Sequence, residues 1–347
     1  MSIAVRPVSL TDDRQEMLEL LDRNLPDLPR VGFDWRYMLN PAGQARSWFV
    51  YQKNQTNAVA MASVFPRKMY VDGREMVAGQ VMHFVVDAAY RSLGPALLLQ
   101  RATLDAVNSG ELDFCYDCPP HDQGMSTFIR LGMRPSCELI RYSLLLRSDE
   151  YLARRIGNAF WTKPAVAVTN SFLGARGNNS PMQGVEVLPH EGDFGEEFSV
   201  LDRRVSSAGA IRHRRSSEDL NYRYRENPEF EHRVLVARRG GELLGFAVFV
   251  AESDGIASLV ELFGWELCQV GPLLLDALIG ICRRQKIRAV CGYCSEGSEL
   301  MSAFKMSGFR PREKTARVVA YSKPDSAAHR LLGNGIRWSF SRVEWLG

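Results

Sequence analysis

The 347-residue sequence lacks the features that mark several large classes of protein. It has no strong charge of either sign, because 43 Lys and Arg face 40 Asp and Glu, and the net charge of +3 does not indicate binding to a long nucleic acid. It contains no apolar run near the ~18 residues that a membrane span needs, and no apolar signal segment near Met1. We therefore expect a cytoplasmic protein without a membrane span.

Cysteine is scarce, and its number is odd. Seven cysteines in a long chain without a secretion signal favour reduced thiols over a disulfide framework. Two Cys-x-x-Cys pairs, at 115–118 and 291–294, could suggest zinc. However, positions i and i+3 of a strand point to opposite faces, which is poor geometry for a chelate. We expect no metal and interpret these cysteines as small core residues, with a reactive thiol as the alternative.

The sequence does contain an internal repeat. Shifting the chain by 176 residues aligns 115–158 with 291–334 without a gap and gives 13 identities in 44 positions. Upstream, the offset is 177 at Gly94 and 187 at Trp35, which pairs Trp35 with Tyr222. Such drifts are typical of loops that differ in length between two copies of one domain.

Each copy alternates strand-like and helix-like segments. In the first copy, apolar strands at 59–65 and 81–86 precede a helix over 95–108, and Asp72-Gly73 predicts a hairpin. This alternation indicates an α/β fold with two tandem domains, each a mixed, mostly antiparallel sheet flanked by helices. We place the domains at residues 1–168 and 185–347, joined by a Gly-, Asn- and Ser-rich linker over 169–184.

One turn of the first copy has the features of a phosphate site. A buried strand ending at Val86 is followed by a turn with Arg91 and Gly94, and then by an apolar helix. This order directs backbone N–H groups and the positive end of the helix to one point. Gly94 lets a phosphate approach, Pro95 is favoured in a first helical turn, and Arg91 adds a cation. Taken alone, the pattern is weak, and an ordinary strand-to-helix turn explains it better.

The order of elements around this turn resembles the GCN5-related N-acetyltransferase superfamily, and the repeat resembles a tandem pair. Residues 91–96 are similar to the family's Arg/Gln-x-x-Gly-x-Gly/Ala motif, and 125–135 are similar to the helix and turn that follow it. The resemblance implies that the turn binds the pyrophosphate of acetyl-CoA or another acyl-CoA, and that the preceding strand flanks the pantetheine. The cofactor-binding residues predicted in this way are Phe84, Val85, Val86, Arg91, Ser92, Leu93, Gly94, Pro95, Ala96 and Phe128.

The same resemblance supplies catalytic candidates. His83 lies where such enzymes often place a base for the acceptor amine, and an imidazole titrates near neutral pH. A satisfied core histidine is the alternative. The tyrosine that often protonates the departing thiolate is replaced here by Phe128 and Phe304. Other candidates are Tyr90, Tyr116 and Tyr142 for that acid, and His121 for a polar group beside the pantetheine.

The second copy departs from the motif. Residues 268–273 read Cys-Gln-Val-Gly-Pro-Leu, which retains the glycine and loses the arginine, so we expect coenzyme A to bind once per chain and the second domain to be degenerate. The predicted activity is N-acyl transfer to a primary amine of a small molecule, sugar or peptide by direct attack. The alternatives are an aminoacyl-tRNA or acyl-carrier-protein donor, and a catalytically degenerate acyl-CoA-binding or regulatory module. Monomer and homodimer both stay open.

The most basic stretch of the chain runs from Arg203 to Arg225. Such a run is typical of a solvated face. With so small a net charge, an anionic acceptor or the coenzyme phosphates are better partners for it than a nucleic acid.

Overall fold

A computed structural model describes residues 3–29, 31–52, 55–91, 93–119, 122–147, 182–333 and 336–342. The first copy forms β1 (Ile3–Pro7), α1 (Arg14–Asn24), α2 (Phe33–Tyr37), β2 (Arg46–Gln52), β3 (Ala60–Val71), β4 (Arg74–Val86), α3 (Leu93–Asn108), β5 (Phe114–Asp117), α4 (Asp122–Arg130) and β6 (Arg134–Leu145). Most of the predicted linker lies outside the described residues, so the domain bounds stay a prediction.

The second copy follows the same order with one added strand. It forms β7 (Val185–His190), α5 (Glu196–Arg204), β8 (Ala210–His213), α6 (Ser217–Tyr224), β9 (Arg233–Arg239), β10 (Glu242–Ala251), β11 (Ile256–Gly264), α7 (Leu267–Arg284), β12 (Ala289–Ser295), α8 (Leu300–Met306) and β13 (Arg310–Ser322). A short helix, α9 (Ala327–Leu332), and a two-residue strand, β14 (Arg337–Trp338), follow.

Local sequence explains the longest hairpin. Asp72 and Gly73 both have positive φ, 50° and 79°, which is the conformation that a two-residue turn between twisted strands requires. β3 and β4 pair antiparallel on either side of this turn, from Val71 opposite Arg74 to Ala60 opposite Val86. The hairpin predicted from Asp-Gly is therefore present, and it brings the end of β4 to the Gly94 turn.

The strands form one mixed sheet with the order β1-β2-β3-β4-β5-β13-β6-β12-β11-β10-β9-β7. Pairing is antiparallel except for β4 with β5, β11 with β12, and β8 with β14. The prediction of a mixed, mostly antiparallel α/β architecture flanked by helices is confirmed. Among the described residues, no helix is long and apolar enough to cross a membrane.

The two copies exchange their last long strand. β6, from the first copy, pairs with β12 of the second, and β13, from the second copy, pairs with β5 of the first. β6 and β13 also pair with each other, so the sheet continues from one half into the other. At the centre of this pairing, Lys314 forms an ion pair with Glu138, and these two residues are at matching positions of the repeat.

A second contact joins matching residues. Trp35 and Tyr222 stack with ring centroids 5.1 Å apart. The indole Nε1 of Trp35 donates to the carbonyl of Tyr222 at 2.7 Å, and the hydroxyl of Tyr222 donates to the carbonyl of Trp35 at 3.0 Å. Because residues at matching positions of the repeat donate to each other's carbonyl, α2 and α6 face each other across a local two-fold axis.

Candidate functional site

The end of β4 is interrupted by a bulge. Met61 faces Val85 but Ser63 faces Met82, so β4 contains one residue more than β3 between these pairs. His83 lies in the bulge with φ of 50°, which is uncommon outside glycine. A bulge re-aims side chains, and here Met82 and His83 both line one cavity.

His83 is buried and held by α2. Its Nδ1 lies 2.5 Å from the hydroxyl of Tyr37, and the ring of Phe65 packs against it with centroids 5.4 Å apart. Burial, with the nearby charge of Arg36, lowers the pKa of His83 to about 3. The imidazole is therefore neutral at pH 7. Its Nε2 can form hydrogen bonds. However, His83 cannot hold a transferred proton at neutral pH, because that role requires a higher pKa.

β4 and β5 diverge below the bulge. They pair in parallel over Ala78–Gln80 opposite Phe114–Tyr116, and further along the described strands no pair joins them. On the α3 side of the sheet, the rings of Phe84 and Phe128 meet edge to face with centroids 5.6 Å apart. β4 and β5 thus separate beside the rings of Phe84 and Phe128.

Neighbouring valines of β4 face opposite sides of the sheet. Val85 packs with the residues of α1, including Met17, whereas Val86 packs on the α3 side near Leu99. Of the strand residues predicted to flank the pantetheine, Phe84 and Val86 share the α3 side, and Val85 does not.

The turn after β4 is anchored at its start. Asp87 accepts hydrogen bonds from Asn24 at 2.7 Å and from Arg23 at 3.1 Å, both on α1. Its backbone N–H donates to the carbonyl of Val59 at 2.9 Å. These contacts fix the position from which the chain leaves the sheet, so the following residues are presented from a rigid base.

The turn is open where it meets α3. The first turn of this helix consists of Leu93, Gly94, Pro95 and Ala96. A Cβ placed on Gly94 would have one neighbour within 4 Å, Ile3 Cδ1 at 3.4 Å. Arg91 is exposed, and its Nε donates to the carbonyl of Val86 at 3.2 Å. The open glycine, the cation and the helix N-terminus fit a bound pyrophosphate. Ser92 lies outside the described residues.

The corresponding turn of the second copy is closed. α7 begins only two residues after β11, and its first turn takes the place of the loop. The guanidinium of Arg204 covers the ring of Trp265 in this short connection at 3.8 Å. A Cβ on Gly271 would lie 2.9 Å from Cβ of Ala303, so α8 fills the space that is open at Gly94. Gly271 is therefore packed against α8, whereas Gly94 is open.

β11 repeats the bulge with a different residue. Val260 is the additional residue of β11, because Leu259 and Glu261 on either side of it face the adjacent residues Phe249 and Val248 of β10. Val260 lines the same cavity as His83, and Glu261 follows the bulge. Glu261 is fully buried and accepts hydrogen bonds from Arg215 and from the hydroxyl of Tyr224, each at 2.5 Å. The polar residue that follows this second bulge is therefore held in an internal ion pair.

A cavity of about 250 Å³ lies between the two halves, beside the first bulge. Its polar lining comes from both copies and includes Arg36, Arg67, His83, His213, Arg223 and His232. Apolar side chains such as Met82, Val250 and Phe230 complete the wall. The cavity adjoins His83 on one face of β4, while the Gly94 turn lies at the end of the same strand.

The other predicted catalytic residues are spread over the molecule. The hydroxyl of Tyr116 lies 2.9 Å from Nε2 of His213, which itself lines the cavity. Tyr142 is carried into the core of the second half by β6, where it stacks on Phe304 with centroids 5.1 Å apart. The structure thus brings Tyr116 near the cavity and places Tyr142 with the other half. His121 lies outside the described residues.

The cysteines of both Cys-x-x-Cys pairs are buried free thiols. Burial raises the pKa of Cys115 and Cys291, and raises that of Cys294 to about 12. In the described part of the chain, no group of three or more His, Cys, Asp and Glu residues is placed to bind a metal. Cys115, Cys291 and Cys294 are therefore neutral packing groups at pH 7.

The interpretation of 203–225 as a solvated face is wrong for its centre. Arg212 is buried in an ion pair with Asp202, and Arg215 is buried against Glu261. Charges at such depth require partners. Asp202 lies ten residues before Arg212, and Glu261 lies 46 residues after Arg215. The sequence analysis identified these arginines but did not predict the buried carboxylates that pair with them.

Two further residues of the site escaped the sequence analysis. Tyr37 orients His83, and Arg67 lines the cavity from β3 with its Nε donating to Gln80 at 2.9 Å. Tyr37 could have been found from the repeat, since it matches Tyr224 at the same offset of 187 that pairs Trp35 with Tyr222.

Known structures share this architecture. A protein of Enterococcus faecalis described as a probable N-acyltransferase matches with a TM-score of 0.64 and 11% identity, over 92% of this chain and 72% of that one. A GCN5-related N-acetyltransferase of Anabaena variabilis gives 0.63 and 12% over the same shares. The chain therefore has the GCN5-related N-acetyltransferase fold.

A third neighbour extends the comparison to another acyl chain. The N-myristoyltransferase of Saccharomyces cerevisiae, solved with bound myristoyl-CoA, matches with a TM-score of 0.58 and 13% identity, over 94% of this chain and 82% of that one. No family model matches the chain, and no curated protein matches it in sequence. At these identities the likeness concerns the fold.

Proposed function

We propose that this chain is an acyl-CoA-dependent N-acyltransferase that binds the coenzyme at the Gly94 turn and the acceptor amine in the cavity beside His83. The observation that carries the proposal is the asymmetry between the two turns. Of the two matching glycines, Gly94 has room for an added Cβ and Gly271 does not, which supports a coenzyme phosphate at the first turn. The solved acyltransferases of this fold, one with bound myristoyl-CoA, support an acyl-CoA donor of unspecified chain length, with acetyl-CoA as the first to test.

The main task of the protein in this reaction is to hold the amine and the thioester in position. The amine nitrogen attacks the thioester carbonyl carbon, the C–N bond forms, the C–S bond breaks, and the thiolate leaves with the electron pair. The proton lost by the amine ends on that thiolate, so the products are an amide and free coenzyme A. Holding both reactants in line accelerates such a step by making it effectively unimolecular.

The residues have separate roles in this step. Phe84 and Phe128 flank the pantetheine, and Arg91 with the N–H groups of the first turn of α3 holds the pyrophosphate. A backbone N–H at the end of β4 polarises the thioester carbonyl. Neutral His83, oriented by Tyr37, accepts a hydrogen bond from the amine when its Nδ1–H donates to the tyrosine oxygen.

A second candidate, a coenzyme-binding module without catalysis, is favoured by one observation. The position of the usual acid is Phe128, which is buried against Phe84 and offers no proton. Calorimetric titration with acetyl-CoA and a thiol-release assay over a panel of primary amines distinguish the two. Binding with amine-dependent thiol release supports the enzyme, and binding without release supports the module. Absence of any coenzyme binding would contradict both.

A further inference from the structure

The cavity contains half of a repeated ion pair. In the first copy, Arg36 on α2 is buried and pairs with the buried Glu229. The residues at the matching positions, at the offset of 187, are Arg223 and Ala42. The second half of the pair therefore has its arginine but no acid.

The turn that carries Ala42 has the same shape as the turn that carries Glu229. The backbone N–H of Ala42 donates to Oδ1 of Asn40 at 3.0 Å, and the N–H of Glu229 donates to Oδ1 of Asn227 at 2.8 Å. A carboxylate at residue 42 would thus be presented to Arg223 much as Glu229 is presented to Arg36.

Arg223 and Arg67 are both without a carboxylate. The NH2 group of Arg223 donates to the carbonyl of Arg214 at 3.1 Å, and its NH1 group is buried without a partner. Arg67 is buried, and its Nε is bound by the neutral side chain of Gln80. Across the described residues, neither guanidinium has an acid within ion-pair distance.

The acids at the cavity wall are already used. Of the two glutamates that line it, Glu229 pairs with Arg36 and Glu252 pairs with Arg342 at 2.8 Å. Burial keeps the lining histidines neutral. It lowers the pKa of His83 to about 3 and that of His232 to about 4, and it holds that of His213 well below its usual value. No carboxylate of the cavity lining is therefore left for Arg67 or Arg223. Asp219 and Glu261 also act on Arg223, but neither lines the cavity, and they form ion pairs with Arg214 and Arg215.

The cavity also has unused polar atoms. Nδ1 of His213 and Nδ1 of His232 are buried without a partner. Uncompensated cations and unpaired polar atoms are costly when buried, unless a ligand satisfies them. Arginine is the side chain best suited to bind a carboxylate or phosphate through paired N–H groups.

From these observations we infer that the cavity binds a compact anionic group, a carboxylate or a phosphate, between Arg67 and Arg223. Resting on the proposed function, this inference names the acceptor class as a primary amine that also carries such an anion. The apolar wall formed by Met82, Val250 and Phe230 accommodates the body of that molecule. His83, at the bulge, lies on the route from the anion to the thioester.

The direct test supplies the missing charge. In the full chain, Ala42→Glu should raise the thermal unfolding midpoint in anion-free buffer, because it pairs Arg223, whereas Ala42→Gln should not. Sodium phosphate or acetate should raise the midpoint of the parent and of Ala42→Gln by several degrees, and should leave that of Ala42→Glu unchanged. Equal responses in all three proteins would overturn the inference.

A second pair of variants covers the case in which Ala42→Glu does not fold. Arg223→Met should weaken phosphate binding, measured by calorimetry, at least tenfold. Arg203→Met removes an equal charge from an exposed side chain that pairs with Glu196, and should leave phosphate binding unchanged. If the two methionine variants bind phosphate alike, the anion site is absent.

Acyl transfer is measured separately, so that the two proposals can fail independently. Gly94→Glu should lose coenzyme binding and keep the phosphate-dependent rise of the unfolding midpoint. Ala42→Glu should keep coenzyme binding and lose that rise. With acetyl-CoA, thiol release should be faster with L-leucine than with 3-methylbutylamine if a carboxylate is read, and faster with phosphoethanolamine than with ethanolamine if a phosphate is read. The acceptor class is wrong if amines without an anionic group release thiol as fast as their anionic counterparts and Ala42→Glu leaves both rates unchanged.

Discussion

The two strand-to-helix turns contain the same Gly-Pro pair and differ in what surrounds it. In the first copy, a six-residue turn follows β4, and Gly94 is the second residue of its helix. In the second, α7 begins one turn earlier, so Gly271 lies inside the helix and packs on α8. The same Gly-Pro pair thus lies in the open first turn of one helix and in the packed interior of the other.

The two bulges also differ between the copies, in what the buried polar residue beside each one contacts. At each one, a buried polar residue is held by a tyrosine from the facing helix, His83 by Tyr37 and Glu261 by Tyr224. In the first copy the polar residue lines a cavity, and in the second it forms an ion pair with Arg215. His83 thus faces the cavity that both halves line, whereas Glu261 is used in internal contacts.

Placing a charge at the open turn should have the largest effect. Gly94→Glu puts a carboxylate and its stem where the pyrophosphate would lie, and we expect at least a hundredfold loss of coenzyme affinity by calorimetry, with the fold retained. Cys268→Glu is the matched control, because Cys268 is the exposed second residue of α7. One site per chain is expected in the parent. Two sites, or a loss caused by Cys268→Glu, would reverse the assignment of the halves.

Breaking the ion pair at the second bulge should chiefly affect stability. Glu261→Gln leaves the buried charge of Arg215 without its partner, which typically costs about 3–5 kcal/mol. Urea unfolding measures this loss. Coenzyme affinity in the folded variant should be unchanged, and a selective loss of coenzyme binding at full stability would show that the second bulge takes part in the site.

Adding one methyl group to each glycine compares the space directly. Gly271→Ala places Cβ 2.9 Å from Cβ of Ala303, and overpacking of this kind costs roughly 1–3 kcal/mol. Gly94→Ala meets only the flexible end of Ile3 at 3.4 Å, and alanine suits a helix better than glycine, so stability should be unchanged or slightly raised. Equal losses in urea unfolding would indicate that both turns are packed.

The smallest effect concerns pH and distinguishes His83 from Glu261. Below pH 6.5 the unfolded chain protonates this imidazole and the folded chain does not, so stability is lost as the pH falls towards about 3. His83→Asn tolerates the positive φ and does not titrate, and it should reduce the loss between pH 7 and 5.5 by about 1.2 kcal/mol. Asp117, whose pKa burial raises to about 7, acts with the opposite sign but is common to both proteins. If the parent and His83→Asn lose the same stability between pH 7 and 5.5, His83 takes up a proton in the folded state over that range.

The sequence was informative where a contact is local or repeated. The Asp72-Gly73 hairpin, the order of elements and the Gly94 turn follow from short patterns, and the repeat pointed to Trp35 and Tyr222. What could not be predicted depends on distant partners. The burial of Arg212 and Arg215 requires acids from α5 and β11, and the packing of Gly271 depends on α8. Short patterns contain no information about which strand pairs with β6.

The exchange of β6 and β13 has a consequence for biosynthesis. When the first half leaves the ribosome, β5 is paired with β4 on one edge, and its other partner is the strand at residues 310–322, which has not yet been made. An unpaired edge can capture a strand of another chain. We therefore expect the nascent first half to be prone to misassembly between chains, and cooperative folding to wait until nearly the whole polypeptide has been synthesised.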